Sequence, residues 1–228
     1  MASAMMLFIL RKETMNNIYT LNMNHAPFNT HYLHRLSNVI HNAVREHPRT
    51  TAIRVDLHVP NYKDTGDSIS CIIDMNKGLM SRFIEALDAR IQIFLKNKSK
   101  NGMRVYPCHL RYAWVKEIDK DKSDKPHWHV VLFLNKDAFL GLGDYTGNDY
   151  NVASMIQAAW LSALKLPLAT EYLTLIHFPD NPCYHLNINN PPAYSESYNG
   201  LMYRLSYLAK ERTKVYSNEE RSFGCSQS

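Results

Sequence analysis

The sequence predicts an α+β domain on a ferredoxin-like (split β-α-β) antiparallel sheet, with helices on one face, an N-terminal helix and a C-terminal Tyr-bearing helix. Apolar and polar residues alternate in residues 51–59 and 109–118, as in half-buried strands. Residues 127–134 form a strongly β-prone run, and residues 79–95 and 151–166 carry apolar residues at helical spacing. The order from residue 51 is therefore β-α-β-β-α-β, as in the split β-α-β fold.

The segments that flank this pattern complete the predicted elements. Asn29 or Thr30 caps a first helix, which ends at His47-Pro48 because the residue before proline disfavours helix. Residues 172–178 and 184–188 are predicted as two short strands, and residues 195–214 as a last helix.

Composition permits one sizeable folded domain. The chain has 228 residues, of which 45% are hydrophobic, so we expect a folded rather than a disordered protein. We predict that residues 1–14 are a disordered or non-native extension, residues 15–50 a helical prefix, residues 51–215 the main domain and residues 216–228 a tail. The formal charge of +5 permits a polyanionic partner without requiring one.

Cysteine spacing and hydropathy argue against several classes of protein. The four cysteines stand far apart and none forms a C-x-x-C pair, which argues against a zinc ribbon or a thioredoxin-like site. A reducing, cytoplasmic location fits this usage best. No apolar run approaches the ~18 residues that a membrane span needs, so we expect no membrane partner.

His127 and His129 are the first candidate functional pair. Residues two apart on a strand point to the same side, so both imidazoles face one spot while Trp128 is buried on the other side. Two imidazoles at this spacing can chelate one divalent ion. Glu117 ends the preceding strand, and the hairpin turn brings it beside His127 as a third ligand, with Asp119 as the fallback. The alternative is two surface histidines on a hairpin, since chance alone gives roughly 0.5 such triplets in this composition.

The last predicted helix carries the second candidate group. At ~100° per residue, its leucines share one side, and Tyr203, Tyr207, Lys210 and Lys214 fall on the opposite side within a sector of about 60°. A phenol beside a cation and a metal-bound phosphate can act as a nucleophile. The alternative is that both tyrosines are ordinary half-buried aromatics.

These motifs resemble those of a known superfamily. Residues 126–132 resemble the His-hydrophobic-His motif of HUH endonucleases, the rolling-circle replication initiators and conjugative relaxases. Residues 114–117 resemble the strand that supplies their acidic ligand. Tyr203, Tyr207 and Lys210 resemble the paired-tyrosine helix of phage-type initiators. Within the superfamily the chain looks most like the inovirus gene-II-type proteins and their prophage relatives in enterobacteria.

The resemblance implies an activity and its components. The protein would nick and rejoin single-stranded DNA at an origin or hairpin through a 5′-phosphotyrosine intermediate, with Mg²⁺ or Mn²⁺ held by His127, His129 and Glu117. Tyr207, in a Tyr-x-x-Lys context, is the better single nucleophile and Tyr203 the second. A host helicase would unwind the duplex.

Basic residues near these motifs are candidate DNA contacts. Lys116, Arg204 and Lys214 belong to loose basic clusters that could track phosphates. A non-catalytic module that binds single-stranded nucleic acid, or a regulatory protein with structural histidines, remains open on the same fold.

Overall fold

The computed structural model describes residues 19–60, 78–118, 125–144, 150–212, 214 and 221–227. The predicted extension at residues 1–14 and the fallback ligand Asp119 lie outside the described residues.

The core of the protein is a six-stranded antiparallel sheet. Its strands are β1 (Arg49–Leu57), β2 (Arg111–Ile118), β3 (Pro126–Asn135), β4 (Ile176–His177), β5 (Cys183–Asn187) and β6 (Phe223–Cys225). The strand order is β4-β1-β3-β2-β6, and β5 also pairs with β1. The first four strands are thus arranged 4-1-3-2, which confirms the predicted ferredoxin-like sheet.

Helices cover both faces of this sheet. They are α1 (Thr30–Glu46), α2 (Leu79–Lys100), α3 (Val152–Ala163) and α4 (Pro191–Leu205), with 3₁₀ turns at Met23–His25, Thr170–Leu175 and Ser206–Ala209. The two helices of the split β-α-β unit, α2 and α3, share one core with the apolar side of β1 and β3. Helices α1 and α4 pack on the opposite face, and the candidate site lies at one end of that face.

Capping side chains fix the residues at which α1 and α3 begin. The Asn29 side chain accepts a hydrogen bond from the Tyr32 amide at 3.0 Å, so the predicted cap is confirmed. Asn151 and Ser154 form a capping box at the start of α3. Trp128 is buried against Trp160 with ring centroids 5.4 Å apart, on the face away from the histidine pair, as predicted. Within the described part of the chain, no helix is both long enough and apolar enough to cross a membrane.

Two predicted elements are wrong in extent. The last helix does not run to Lys214: α4 ends at Leu205, a 3₁₀ turn covers Ser206–Ala209, and Lys210 is extended at φ −60° and ψ 137°. The Ser206 hydroxyl donates to the Tyr203 carbonyl at 2.7 Å, a local bond that competes with regular helix. The strand predicted at residues 172–178 is mostly the 3₁₀ turn Thr170–Leu175 and pairs only at Ile176–His177.

Candidate metal centre

The hairpin of β2 and β3 brings the three predicted ligands together. Glu117 lies directly opposite His127 in the strand register, and Val115 lies opposite His129. A Glu117 carboxylate oxygen lies 3.9 Å from His127 Nε2 and 3.5 Å from His129 Nε2. One donor atom of each residue lies within 4.8 Å of the others, which is a spacing that one cation can bridge.

Burial and charge set the protonation of Glu117 and His127. Burial raises the pKa of Glu117, but the adjacent His129 ring and the Lys214 ammonium outweigh it and hold the pKa well below its usual range. Burial and the neighbouring His129 lower the pKa of His127 to about 4. The His127 ring also stacks on the His58 ring, with centroids 5.7 Å apart. At neutral pH the centre therefore offers a carboxylate and a neutral imidazole, the forms that bind metals.

One further observation supports a divalent cation bound by the ligand trio, which is Glu117, His127 and His129. His129 Nε2 is buried and has no hydrogen-bond partner among the described residues. A buried polar atom without a partner is costly, so such an atom in a cluster of donor groups points to a ligand. A cation at this position would satisfy it and would take one oxygen and two nitrogen donors.

Asp56 supports the centre from the neighbouring strand. Asp56 lies opposite His129 in the register of β1 and β3 and accepts a hydrogen bond from His129 Nδ1 at 2.6 Å. This bond places the ring proton on Nδ1 and leaves the Nε2 lone pair facing Glu117. Arg54 donates to the same carboxylate at 3.0 Å, and His177 Nδ1 lies 3.7 Å from its other oxygen. Burial raises the pKa of Asp56, but His129 and Arg54 outweigh it and hold the pKa below its usual range.

The strand pattern around Asp56 contains a signal for its role that the histidine and tyrosine motifs do not include. Asp56 falls on the polar side of the alternating strand at residues 51–59, the side opposite Ile53 and Val55. An ionisable residue in the middle of a strand that pairs with the histidine strand is a candidate partner for those histidines.

Two lysines form ion pairs with Glu117. Lys214 Nζ lies 2.5 Å from one carboxylate oxygen, and Lys210 Nζ lies 3.0 Å from the other. The side chains of Lys214 and Glu117 are 0% and 1% exposed. Burial lowers the pKa of Lys214 despite this pairing with Glu117. Lys214, a candidate DNA contact by sequence, is therefore placed inside the centre.

Of the two candidate tyrosines, Tyr207 reaches the centre. Its ring packs edge-to-face against the His129 ring with centroids 4.9 Å apart, and Lys210 Nζ lies 3.4 Å from the Tyr207 ring centroid. Tyr203 lies on α4, one turn earlier, with 44% of its surface exposed. The two tyrosines do not share one helical face, because the helix ends between them.

The other two candidate DNA contacts lie apart from the trio. Lys116 Nζ lies 6.0 Å from the Trp128 ring centroid, and because side chains alternate along a strand it is on the opposite face of the sheet from Glu117. Arg204 donates to the Asp180 carbonyl at 3.3 Å.

Comparison with known proteins places the chain among bacterial relatives. No solved structure matches it significantly. It is 38% identical over 196 residues to the uncharacterized protein YagK of Escherichia coli (strain K12), an alignment that covers 86% of this chain and 92% of YagK. It is 35% identical over 207 residues to the uncharacterized protein YfjJ of the same organism, covering 89% and 98% of the two chains. The family model for the YagK/YfjJ C-terminal domain matches residues 10–226, and the chain belongs to this family.

Proposed function

We propose that this protein is a metal-dependent nicking-joining endonuclease for single-stranded DNA, with Tyr207 as the nucleophile. One observation carries the proposal: the Tyr207 ring lies against His129, while Lys210 contacts both the Tyr207 ring and Glu117. The candidate nucleophile, the Lys210 ammonium and the three candidate metal ligands thus lie in one place. The hydroxyl is attached to that ring, so it lies within roughly 10 Å of the His129 ring, near enough for both side chains to contact one metal-bound phosphate.

The charge of the centre supports a phosphodiester substrate. Glu117 is paired with two lysines, and Asp56 is paired with Arg54. A divalent cation would add two further positive charges to a centre that already has one in excess. An anionic substrate such as DNA would balance them.

The donor set supports a choice among metals. We propose Mg²⁺ or Mn²⁺, and two imidazole nitrogens favour Mn²⁺ because Mg²⁺ prefers oxygen ligands. Glu117, His127 and His129 would hold the cation, which would polarise the scissile phosphate when bound.

The residues of the centre suggest how the reaction proceeds. The phenolic oxygen of Tyr207 attacks phosphorus and loses its proton, the bond from phosphorus to the 3′ oxygen breaks, and that oxygen takes up a proton to become a 3′-hydroxyl. The product is a 5′-phosphotyrosine, and attack by a 3′-hydroxyl reverses the step and rejoins the strand. The Lys210 ammonium, already beside the ring, would favour the phenolate and the charge that builds up at phosphorus.

The biological setting follows from the resemblance to phage-type initiators. We propose that the nick lies at an origin or hairpin of a phage or prophage that replicates by a rolling circle, with a host helicase as partner. Tyr203 would act second, on a regenerated origin, and would have to approach from its exposed position on α4.

A covalent-adduct assay tests the proposal. The protein is incubated with end-labelled single-stranded and hairpin oligonucleotides and Mn²⁺, and adducts are separated on a denaturing gel. We expect adducts with wild type and with Tyr203→Phe, and none with Tyr207→Phe or in excess EDTA. Equal adduct from Tyr207→Phe contradicts the assignment of the nucleophile.

The same samples distinguish the nicking reaction from the competing function, which is nucleic-acid binding without catalysis. A non-catalytic nucleic-acid-binding module would give no adduct on any substrate, and its oligonucleotide affinity would fall with salt but would not change with EDTA or with His127→Ala.

A further inference from the structure

A segment that precedes the sheet is hydrogen-bonded to both ends of the turn that carries Tyr207. We name residues 22–29 the N-terminal clamp and Ser206–Ala209 the tyrosine turn. Three hydrogen bonds join them or their flanks: Asn29 N to Ala209 O at 2.7 Å, Glu211 N to Pro27 O at 3.0 Å, and Asn22 N to Ser206 Oγ at 3.1 Å. The clamp therefore binds both ends of the turn that carries Tyr207, and the backbone of that turn is fixed from outside the sheet.

The clamp also supplies a side chain to Tyr207. The His25 ring packs edge-to-face against the Tyr207 ring with centroids 5.0 Å apart and an interplanar angle of 89°. His25 Nε2 lies 3.2 Å from the Asn22 side-chain nitrogen, and this contact holds the imidazole in place. His129 and Lys210 also contact the Tyr207 ring, at 4.9 Å and 3.4 Å from its centroid, and Tyr207 packs against the core on this face of the sheet.

We infer that His25 is a positioning residue for Tyr207, an inference that rests on the proposed nicking reaction. Tyr207 is the half-buried residue of a turn whose other residues are buried, and a partly exposed aromatic side chain can change position by rotating about its first side-chain torsion. The His25 ring restricts that rotation and keeps the phenol against His129. Because attack at phosphorus needs the reacting atoms in contact and in line, a less restricted ring would spend less time in the reactive position.

A purely structural role for His25 would make its loss reduce the stability of the fold, whereas a positioning role would make its loss reduce the rate of nicking. His25 is half-buried and lies outside the two groups of buried residues that form the core. Burial and the charge of Lys210 lower the pKa of His25, while Glu117 raises it, so the ring is neutral at neutral pH and does not repel Lys210. Loss of this ring should therefore change the rate of nicking more than the stability of the fold.

Three variants test the inference. His25→Ala removes the ring, His25→Phe keeps a ring of similar shape, and His34→Ala removes an exposed histidine of α1 as the matched control. The rate of adduct formation is measured in a single turnover with saturating oligonucleotide and Mn²⁺, beside the affinities for Mn²⁺ and for the oligonucleotide. We expect His25→Ala to slow adduct formation about 10- to 100-fold with both affinities unchanged. His25→Phe should recover most of the rate, and His34→Ala should match wild type.

A spectroscopic measurement distinguishes this inference from the proposed function. The protein is labelled with 3-fluorotyrosine, and the Tyr207 resonance is assigned by its loss in Tyr207→Phe. His25→Ala should shift or broaden that resonance, and His25→Phe should restore it. An unchanged resonance and an unchanged rate in His25→Ala overturn the inference even when wild type nicks DNA. A wild type that forms no adduct refutes the proposed function, and the role of His25 in it is then refuted too.

Discussion

Replacement of Asp56 by asparagine tests how the candidate metal centre is held. Asp56 accepts the hydrogen bond from His129 Nδ1 at 2.6 Å and is itself paired with Arg54 at 3.0 Å. Asparagine has nearly the same shape and can still accept one hydrogen bond, but it carries no charge. The His129 ring would then be held less firmly and its Nε2 would be a weaker ligand.

The expected magnitude follows from the bond that changes. A hydrogen bond to a charged group contributes about 1.5–3 kcal/mol and one between neutral groups about 0.5–1.5 kcal/mol. The difference of about 1–1.5 kcal/mol corresponds to roughly 10-fold in an equilibrium constant. Mutation of a residue that hydrogen-bonds to a metal-bound histidine typically weakens metal binding by about 10- to 100-fold. We therefore expect Asp56→Asn to bind Mn²⁺ about 10-fold more weakly than wild type does.

Isothermal titration calorimetry with Mn²⁺ measures the effect directly. The matched control is Asp137→Asn, because Asp137 pairs with Arg49 at 2.6 Å through side chains that are 30% and 49% exposed. This control should bind Mn²⁺ as wild type does. The reasoning is refuted if Asp56→Asn binds as tightly as wild type, or if Asp137→Asn loses as much affinity. A wild type that binds no Mn²⁺ refutes the metal centre itself.

Two further predictions concern the stability of the fold. Glu117→Gln leaves the buried Lys214 without its counter-ion, so the free energy of unfolding in EDTA should fall by about 3–5 kcal/mol, as found when one partner of a buried pair is removed. Urea denaturation measures this loss, and a loss below about 1 kcal/mol contradicts the buried pair. Glu46 accepts hydrogen bonds from Arg111 and His109. Burial raises the pKa of Glu46, but these partners lower it below the ordinary 4.5. The stabilisation is therefore present above that value and is lost as the pH falls through the lowered pKa. Glu46→Gln should lower the urea midpoint at pH 7, with the gap to wild type closing in acid; a gap that widens in acid contradicts the sign.

The elements that could be predicted are those encoded by short-range periodicity. Alternation identified β1 and β2, and regular apolar spacing identified α1, α2 and α3, because a half-buried strand or helix must keep its apolar residues on one side. The pairing of Glu117 with His127 was also predictable, since β2 and β3 are consecutive strands joined by a short connection. The three candidate ligands could therefore be predicted from the sequence by itself.

The end of α4 was not predictable in the same way. Residues 195–214 keep apolar residues at helical spacing, so periodicity favoured one continuous helix. The chain leaves the helix at Ser206, where the side chain bonds to the Tyr203 carbonyl and the N-terminal clamp binds the flanks of the turn. The choice at Ser206 between continued helix and a tight turn therefore depended on a contact with a segment about 180 positions away.

Periodicity by itself determined which residues share a face of each strand, and so it determined the histidine pair, Glu117 and the ferredoxin-like order of elements. Only the tertiary structure decided what stands opposite that face. Asp56 reaches His129 across 73 positions of chain, and His25 reaches Tyr207 from beyond the start of the sheet. The physical reason is that local sequence fixes the direction of a side chain relative to its own backbone, whereas its partner is fixed by the packing of whole elements.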